Sequence, residues 1–482
     1  MEKKVEFKSI KDRINFFSGQ NNSNKPNVDN KNPAQTKSNK PKVENKNTDN
    51  TNSNKPKTGN NSINNTIPKN VKIDNKNIPK IEKTKIIGNY FGLPPEAFEK
   101  NRINIDDEDE EEKPHIIIDT GTCLCKAGLS GEEGPRTIFP SMVGYPKYAS
   151  DIDIESGKEK DFFVVNDAEA KRGVLRLNFP IEKGLINNWD DAEKIWGHIF
   201  INELRVAPEE HNIMIIESPN NPKQNREKIA QIIFETFNAP GLYISNSAVL
   251  SLYSVGKYNG IVIDSGGDLT HFVPIYDGAV ISYAYINENY AGRDLSLYMV
   301  KLLDEIGYRA STSSEKKIVE SIKEKVCYVA LDFEEELKYV EPFDYELPDG
   351  THVTIKDQRI RCPEVLFKPD IIGKDGVGIA KACYNSIQKC DLDKRKDLYN
   401  NIVLSGGNSM FNGLKERLIK EIKYLAPNSM EEEVSVIASP ERKIAAWIGG
   451  SILSSSPYFE NSWITKTEYE EEGANIVHKK CP

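Results

Sequence analysis

The sequence is poor in the residues that build small cross-linked or zinc-dependent proteins. Its 482 residues include only 7 cysteines, 6 histidines and 4 tryptophans. The cysteines lie at positions 123, 125, 327, 362, 383, 390 and 481, and their spacing matches no common metal site. As alternate residues, Cys123 and Cys125 are expected to share one face of a strand and to be packed thiols rather than metal ligands.

Long hydrophobic runs are also missing. No apolar stretch has the length of a membrane-spanning helix, and the opening residues MEKKVEFK lack the apolar centre of a signal peptide. We therefore expect a cytoplasmic protein without a membrane span.

The formal charge of -9 is unevenly distributed. Residues 1–105 contain 21 lysines and arginines against 10 acids, a charge of +11, which leaves -20 for residues 106–482. The sequence therefore divides into a basic arm and an acidic body.

The basic arm has the composition of a disordered tether. From residue 18 to about residue 80 it consists mainly of Asn, Lys, Pro, Ser and Thr, and the motif SNKP recurs at Ser23, Ser38 and Ser53. So few apolar residues cannot offset the entropy lost on folding, which predicts disorder over residues 1–105. A solvated linker is favoured over binding to nucleic acid or to anionic lipid.

One short motif interrupts this pattern at residues 5–17. Phe7, Ile10, Ile14 and Phe17 are spaced so that they would lie on one stripe of a helix. A helix this short is marginal in water. The motif is either a docking peptide for a partner or a solvated chain end.

Seven consecutive acids at residues 106–112 separate the arm from the body. Such a block repels itself and stays exposed, so it is either a landing site for a basic partner or a solubilising linker.

The body contains two related strand-and-turn motifs. Ile116, Ile117 and Ile118 precede Asp119-Thr120-Gly121-Thr122, and an apolar run at 260–263 precedes Asp264-Ser265-Gly266. Each predicts a buried strand that ends in a carboxylate and a tight turn. The free backbone N–H groups of such a turn can surround a phosphate, while the carboxylates bind the waters of a metal ion. Two such hairpins facing each other would form a nucleotide cleft.

A third stretch at 402–408 repeats the pattern without the acid. Its Ser405-Gly406-Gly407 sequence predicts a close approach of backbone to a flat base or to a sugar.

From residue 113 onward the pattern alternates between strands and helices, which predicts the α/β class. A strand is predicted over 212–217. Helices are predicted over 190–204, 225–237, 314–337, 381–390 and 414–425.

Several stretches of the body closely resemble actin. They are 187–191 (NNWDD), 202–211 (NELRVAPEEH), 234–238 (FETFN), 291–295 (AGRDL), 322–334 (IKEKVCYVALDFE), 440–443 (PERK) and 447–451 (WIGGS). The resemblance extends over residues 113–482. It implies the actin-like ATPase fold that sugar kinases share, with two similar lobes around a nucleotide cleft, and it implies ATP or ADP with Mg²⁺ (or Ca²⁺) as ligands.

The resemblance also implies four subdomains. Subdomain 1 would comprise 113–140, 180–254 and 445–482; subdomain 2, 141–179; subdomain 3, 255–290 and 375–444; and subdomain 4, 291–374.

Site residues follow from the matching positions. The first hairpin would contribute Asp119, Gly121, Thr122, Leu124 and Lys126, and the second Asp264, Ser265, Gly266, Gly267 and Asp268. Asp119 and Asp264 would bind the metal through water, and Lys126 would place its charge on the phosphates. The ribose and base would lie against Gly292, Lys323, Glu324, Gly406, Gly407, Met410, Phe411 and Lys443. Each set also has a structural interpretation, with glycines serving turns and Lys323 and Glu324 on an exposed helix face.

Departures from the family pattern fall at the reaction centre. Ser247 stands where the family has a glutamine that orients the attacking water, whereas His271 matches the other residue beside that water. Serine is too short to reach the same water, so hydrolysis should be weakened by roughly 10²-fold or more, unless Ser247 or Asn246 serves only as a helix N-cap.

The hairpins themselves also differ from the family. Cys123 replaces a glycine of the first hairpin, and the second carboxylate is displaced by one residue to Asp268. Lys183 replaces a histidine and Asn287 an arginine near the route by which phosphate is thought to leave.

Segments that mediate assembly in the family differ as well. The loop over 146–173 is longer and charged, 335–342 is shorter, and the apolar plug around 371–375 is partly charged.

Three functions are compatible with these observations. The favoured hypothesis is a cytoskeletal, ATP-binding protein that assembles with itself or with conventional actin and contacts actin-binding proteins. The alternative is a non-polymerising actin-related subunit or regulator of a cytoskeletal or chromatin complex. A kinase of the same superfamily is disfavoured by the actin-specific stretches.

Overall fold

The computed structural model of the protein describes residues 113–147 and 161–481. The arm at 1–105 with its motif at 5–17, the acidic linker at 106–112 and residues 148–160 of the long loop lie outside the described residues. The predictions made for them stay predictions.

Nineteen strands occur in the described part of the chain. They are β1 (Ile116–Thr120), β2 (Leu124–Leu129), β3 (Thr137–Pro140), β4 (Val143–Pro146), β5 (Phe163–Val164), β6 (Leu175–Asn178), β7 (Ile181–Glu182), β8 (Leu185–Ile186), β9 (Ile213–Glu217), β10 (Gly241–Asn246), β11 (Gly260–Ser265), β12 (Thr270–Tyr276), β13 (Ala279–Val280), β14 (Ile286–Glu288), β15 (Phe343–Glu346), β16 (His352–Ile355), β17 (Ile402–Ser405), β18 (Val436–Ile437) and β19 (Ile464–Thr465).

The same described residues form fourteen α-helices. They are α1 (Val165–Ala170), α2 (Trp189–His198), α3 (Lys223–Gln231), α4 (Ser247–Ser254), α5 (Gly292–Asp304), α6 (Ser313–Val326), α7 (Phe333–Glu336), α8 (Gln358–Glu364), α9 (Ile379–Lys389), α10 (Leu392–Asn400), α11 (Leu414–Leu425), α12 (Ala445–Ser454), α13 (Lys466–Glu472) and α14 (Val477–Lys480). Short π-helical turns extend α2 over Ile199–Leu204 and α3 over Ile232–Thr236.

Two six-stranded sheets are built on the same plan. The first has the order β19-β10-β9-β1-β2-β3, and the second has the order β13-β12-β11-β17-β18 with β14 paired to β12. In each sheet an antiparallel hairpin, β1–β2 or β11–β12, is flanked on the side of its first strand by parallel strands. The α/β class is thereby confirmed, and the hairpin turns lie at the carboxyl ends of the parallel strands.

Burial explains the apolar runs of the central strands. Ile116, Ile117 and Ile118 of β1 and Ile261, Val262 and Ile263 of β11 are completely buried. Strands that are covered on both faces have continuous runs of β-branched residues in their sequence rather than alternating apolar and polar residues. Each run is followed by a carboxylate, Asp119 in β1 and Asp264 in β11.

Helix α4 connects the two sheets. It contacts β10 of the first sheet, β11 and β17 of the second, and helix α12. A β-carbon at Gly449 of α12 would collide with the carbonyl oxygen of Leu250, so the two helices cross in backbone contact. The indole of Trp447 then donates a hydrogen bond to the carbonyl of Ile117, 3.2 Å away, which fixes α12 on β1.

The predicted long helix over 314–337 is wrong in its second half. Helix α6 begins at an N-cap, Thr312, whose hydroxyl accepts from the backbone of Glu315, and it ends at Val326. Cys327 is extended, with ψ of 147°. Asp332 then caps the separate short helix α7, because its side chain accepts from the backbone N–H of Glu335. An aspartate at this position is a start signal, and the apolar periodicity obscured it.

The prediction that Cys123 and Cys125 share one face of a strand is also wrong. Strand β2 begins at Leu124, so Cys123 belongs to the turn and is exposed, whereas Cys125 is buried. Among the described residues no helix is both long and apolar enough to cross a bilayer.

Candidate functional site

The first hairpin places a carboxylate and an ammonium side by side. Asp119 in β1 is directly opposite Lys126 in β2, and Lys126 Nζ lies 2.5 Å from Asp119 Oδ2. Burial lowers the pKa of Lys126, but the charge and hydrogen bond of Asp119, helped by Asp264, outweigh burial and raise this pKa above its usual value. Lys126 is therefore a fixed cation at the carboxyl end of β1.

The second hairpin holds a carboxyl group whose charge is strongly disfavoured. Burial raises the pKa of Asp264 to about 6, and the neighbouring charge of Asp119 adds to this, while Lys126 and a hydrogen bond from Ser247 act in the opposite direction. Asp119 and Asp264 therefore repel each other across a common cation. A divalent metal at this position would relieve the repulsion, because it favours both ionised forms.

His271 lies directly opposite Asp264 in the β11–β12 ladder. Its Nδ1 is 2.8 Å from the hydroxyl of Tyr285, and its Nε2 is 3.4 Å from the hydroxyl of Ser218 at the end of β9. Burial lowers the pKa of His271 to about 4, so the imidazole is neutral at physiological pH. The structure thus places a neutral histidine between the two sheets.

The turns of the two hairpins touch. A β-carbon at Gly267 would collide with the sulphur of Cys123. The Cys123 side chain therefore fills the space that a side chain at position 267 would need. Compared with the family pattern, the first turn has gained the thiol of Cys123, and the second turn has no side chain at Gly267. The displacement of the second carboxylate to Asp268 is therefore sterically matched to the presence of Cys123.

Ser247 opens helix α4 and points its hydroxyl at Asp264. The helix N-cap is Asn246, whose side chain accepts from the backbone N–H of Ala248 at 2.9 Å. Of the two caps considered from the sequence, Asn246 is the correct one. Ser247 instead touches the carboxyl of the second hairpin.

Asp268 uses both carboxylate oxygens within the protein. Oδ1 lies 2.8 Å from a guanidinium nitrogen of Arg293, and Oδ2 accepts a hydrogen bond of 3.1 Å from the backbone N–H of Lys183. Asp268 thus connects the second hairpin to the start of α5 and to the turn between β7 and β8.

Lys323 and Glu324 have different environments, contrary to the exposed helix face considered for both. The Lys323 ammonium is buried and donates to the carbonyl of Gly292 at 3.1 Å and to the hydroxyl of Ser296 at 2.8 Å. Glu324 is exposed and lies 3.9 Å from Lys443. Lys323 is therefore joined to Gly292 by a hydrogen bond, whereas the neighbouring Glu324 lies close to Lys443.

The third strand-and-turn motif meets the second hairpin. Gly406 has φ of 86°, and a side chain there would collide with the backbone of Ser265. Gly407 opens a short 3-10 helix that ends at Met410, which is 36% exposed. Phe411 is buried in the core of the second sheet.

Asn408 is a residue beside the second hairpin that the sequence pattern did not indicate. Thr270 donates its proton to the carbonyl of Tyr290, so Ser265, 2.9 Å from Thr270, must donate to Thr270. Ser265 then accepts from Nδ2 of Asn408 at 2.9 Å. This fixes the amide and leaves Asn408 Oδ1 buried, with no hydrogen-bond partner in the part of the chain that the structure describes. A polar amide directly after two glycines at a strand end is the signal that could have found it.

The predicted residues therefore converge from separate parts of the chain. Asp119, Lys126, Asp264, Ser247 and His271 meet where the two hairpins face each other. Thr122, in the turn of the first hairpin, accepts a hydrogen bond from the backbone N–H of Gly184 at 2.9 Å.

Comparison with known families agrees with this arrangement. The family model described as Actin matches residues 110–482, which are more than three quarters of the chain and include all of the described residues. The chain belongs to the actin family.

Proposed function

We propose that this protein binds ATP or ADP with a divalent cation between the two sheets, which act as the two lobes of an actin-like ATPase. The observation that carries the proposal is the convergence of Asp119, Lys126 and Asp264 at two facing strand ends. Actin-family proteins generally bind such nucleotides.

Three features of the protein support the fit of a metal nucleotide. Asp119 and Asp264 repel each other and would be neutralised by a cation. A β-carbon at Gly121 would lie 2.8 Å from the carbonyl oxygen of Leu124, so the first turn has no room for a side chain at this position, as at glycines where the backbone approaches a ligand closely. Asn408 Oδ1, which has no hydrogen-bond partner among the described residues, is free to accept a hydrogen bond from a ligand donor or from water.

Among the described residues, no cluster of three or more His, Cys, Asp and Glu side chains could hold a metal by itself. Two carboxylates acting through water, with the remaining positions supplied by phosphate, are the usual arrangement for Mg²⁺. In this proposal Asp119 and Asp264 orient metal-bound waters, and Lys126 stabilises charge on the phosphate.

Hydrolysis is proposed to be slow. The bound nucleotide would supply a phosphoanhydride for attack by water. Ser247 is hydrogen-bonded to Asp264, and its side chain is too short to replace the amide that orients this water in the family. His271 is neutral, but burial lowers its pKa to about 4, so it is a weak general base and does not compensate for the short side chain of Ser247.

Assembly with itself or with conventional actin, in the cytoskeleton, is the favoured cellular role. One observation favours the alternative, a non-polymerising subunit of a larger complex. Lys374, in the segment that corresponds to the family's plug, is bound to its own chain through the carbonyl of Asn289 at 2.9 Å and the carboxylate of Asp294 at 3.2 Å. A plug held in this way is less available to a neighbouring subunit.

Sedimentation of the full chain with Mg-ATP, alone and mixed with conventional actin, distinguishes the two roles. Pelleting in either condition supports assembly. A protein that stays in the supernatant in both conditions supports the alternative and removes the filament hypothesis.

A further inference from the structure

The turn between β7 and β8 contains a lysine in a left-handed conformation. It consists of Lys183 and Gly184, which we name the 183–184 turn, and both residues are left-handed, with φ of 49° and 74°. This conformation suits glycine, but in lysine it costs about 1 kcal/mol. The paired strands β7 and β8 favour this two-residue turn, and contacts from outside it help to hold Lys183 in place.

Those contacts come from the two hairpins. The N–H of Gly184 donates to Thr122 in the first hairpin at 2.9 Å, and the N–H of Lys183 donates to Asp268 in the second at 3.1 Å. Two successive backbone donors thus bind two different hairpins. The 183–184 turn can keep both bonds only while the hairpins remain close together.

Asp268 is itself held on the second hairpin. Its side chain is 11% exposed, and its other oxygen is bound by Arg293 at 2.8 Å. The backbone N–H of Arg293 donates to the carbonyl of Gly267 at 2.8 Å, so Arg293 is fixed to the same turn. With both oxygens engaged, Asp268 forms a charged bridge from α5 to the 183–184 turn.

We infer that Asp268 is a positioning residue whose carboxylate holds the 183–184 turn against the second hairpin through a hydrogen bond and so slows the exchange of bound nucleotide. The inference rests on the proposed nucleotide binding and adds to it a role for the displaced acid. A ligand held between the hairpins can leave only when they separate, and separation breaks the bond between Asp268 and Lys183. Asp268 therefore acts on the rate of release rather than by binding metal.

The main test is the dissociation rate of a fluorescent ATP analogue from the full-length protein in Mg²⁺. Asp268→Ala should release it about 10- to 100-fold faster, the ratio expected for loss of one hydrogen bond to a charged group. Asp268→Asn keeps an oxygen for Lys183 and should lie between Asp268→Ala and the wild type. Asp304→Ala, which removes an exposed acid at the far end of α5, the helix that begins beside Arg293, should leave the rate unchanged. Equal rates for wild type and Asp268→Ala would overturn the inference.

Amide hydrogen exchange at residue 183 provides a second readout that needs no nucleotide. Asp268→Ala should accelerate exchange of the Lys183 N–H in the ligand-free protein, and Asp304→Ala should not. If the wild type fails to bind the analogue, the proposed function fails. The exchange measurement still decides whether Asp268 holds the Lys183 N–H. Unchanged protection of Lys183, together with a raised Mg²⁺ requirement for binding, would make Asp268 a metal-site group and overturn the inference.

Discussion

The sulphur of Cys123 lies against Gly267, at the point where the turns of the two hairpins meet. Each residue departs from the family pattern, and the two departures fit each other: a side chain is added on one turn where none remains on the other. The contact makes the spacing of the hairpins sensitive to a single added methyl group.

This relationship predicts the outcome of Gly267→Ala. The new methyl group should collide with Cys123 and lower the free energy of unfolding by roughly 1–3 kcal/mol, the usual range for overpacking. Adding Cys123→Gly should restore most of the loss, which a double-mutant cycle of thermal or denaturant unfolding would measure.

Gly173→Ala is the matched control, because a β-carbon there meets nothing within 4 Å. Additive effects of Gly267→Ala and Cys123→Gly would show that the two side chains do not share the space.

Asp264 predicts a pH dependence of stability in the ligand-free protein. Its pKa is raised by burial from 3.8 to about 6, so the folded state favours the neutral acid. The resulting stabilisation is fully present below pH 3.8 and is lost as the pH rises through about 6. Asp264→Asn keeps a neutral group and should therefore stabilise the ligand-free protein by roughly 2–3 kcal/mol at pH 7.5.

Thermal unfolding of both proteins across pH 4–8 measures this difference. The gain should shrink towards zero at the acid end. A gain that is the same at all pH values, or a loss at pH 7.5, would show that Asp264 is not a disfavoured charge.

Removing the charge of Lys126 should destabilise the protein, whereas removing the charge of Asp264 should stabilise it. Lys126→Met leaves the buried carboxylate of Asp119 next to Asp264 without a cation, and breaking such a pair typically costs about 3–5 kcal/mol. Lys113→Met is the control, because Lys113 forms an exposed pair with Glu210 at 2.9 Å and should contribute little. Denaturant unfolding at pH 7.5 compares the two variants, and similar losses in both would contradict the role of Lys126.

Ser247 predicts a gain of catalysis on substitution. Ser247→Gln restores a side chain long enough to orient water, and phosphate release in Mg-ATP should rise by about tenfold or more. Ser247→Ala removes the hydroxyl without adding an amide and should give no rise. A wild-type rate already equal to that of conventional actin would contradict the proposal of weakened hydrolysis.

The strand ends of the site could be predicted because they depend on local sequence. Apolar runs ending at Asp119 and Asp264 predict buried strands and polar turns, and both strands occur with these residues at their carboxyl ends. The α/β class follows from the same alternation of strands and helices.

Side-chain environments depended on contacts that no local pattern contains. Lys323 and Glu324 are adjacent, yet only Lys323 is buried, because the carbonyl of Gly292 and the hydroxyl of Ser296 accept its protons. The amide of Asn408 is oriented by a hydrogen-bond chain that begins at a carbonyl from another segment. The end of α6 at Val326 was missed because apolar spacing continues past it, whereas the backbone at Cys327 is extended.

The most direct test of the nucleotide site is titration calorimetry of the full-length protein with Mg-ATP, beside Asp119→Asn and the control Asp304→Asn. We predict saturable binding of one nucleotide by the wild type and by the control, with clearly weaker binding by Asp119→Asn. Absence of binding by the folded wild type, or equal affinities in all three proteins, would contradict a nucleotide site between the two hairpins.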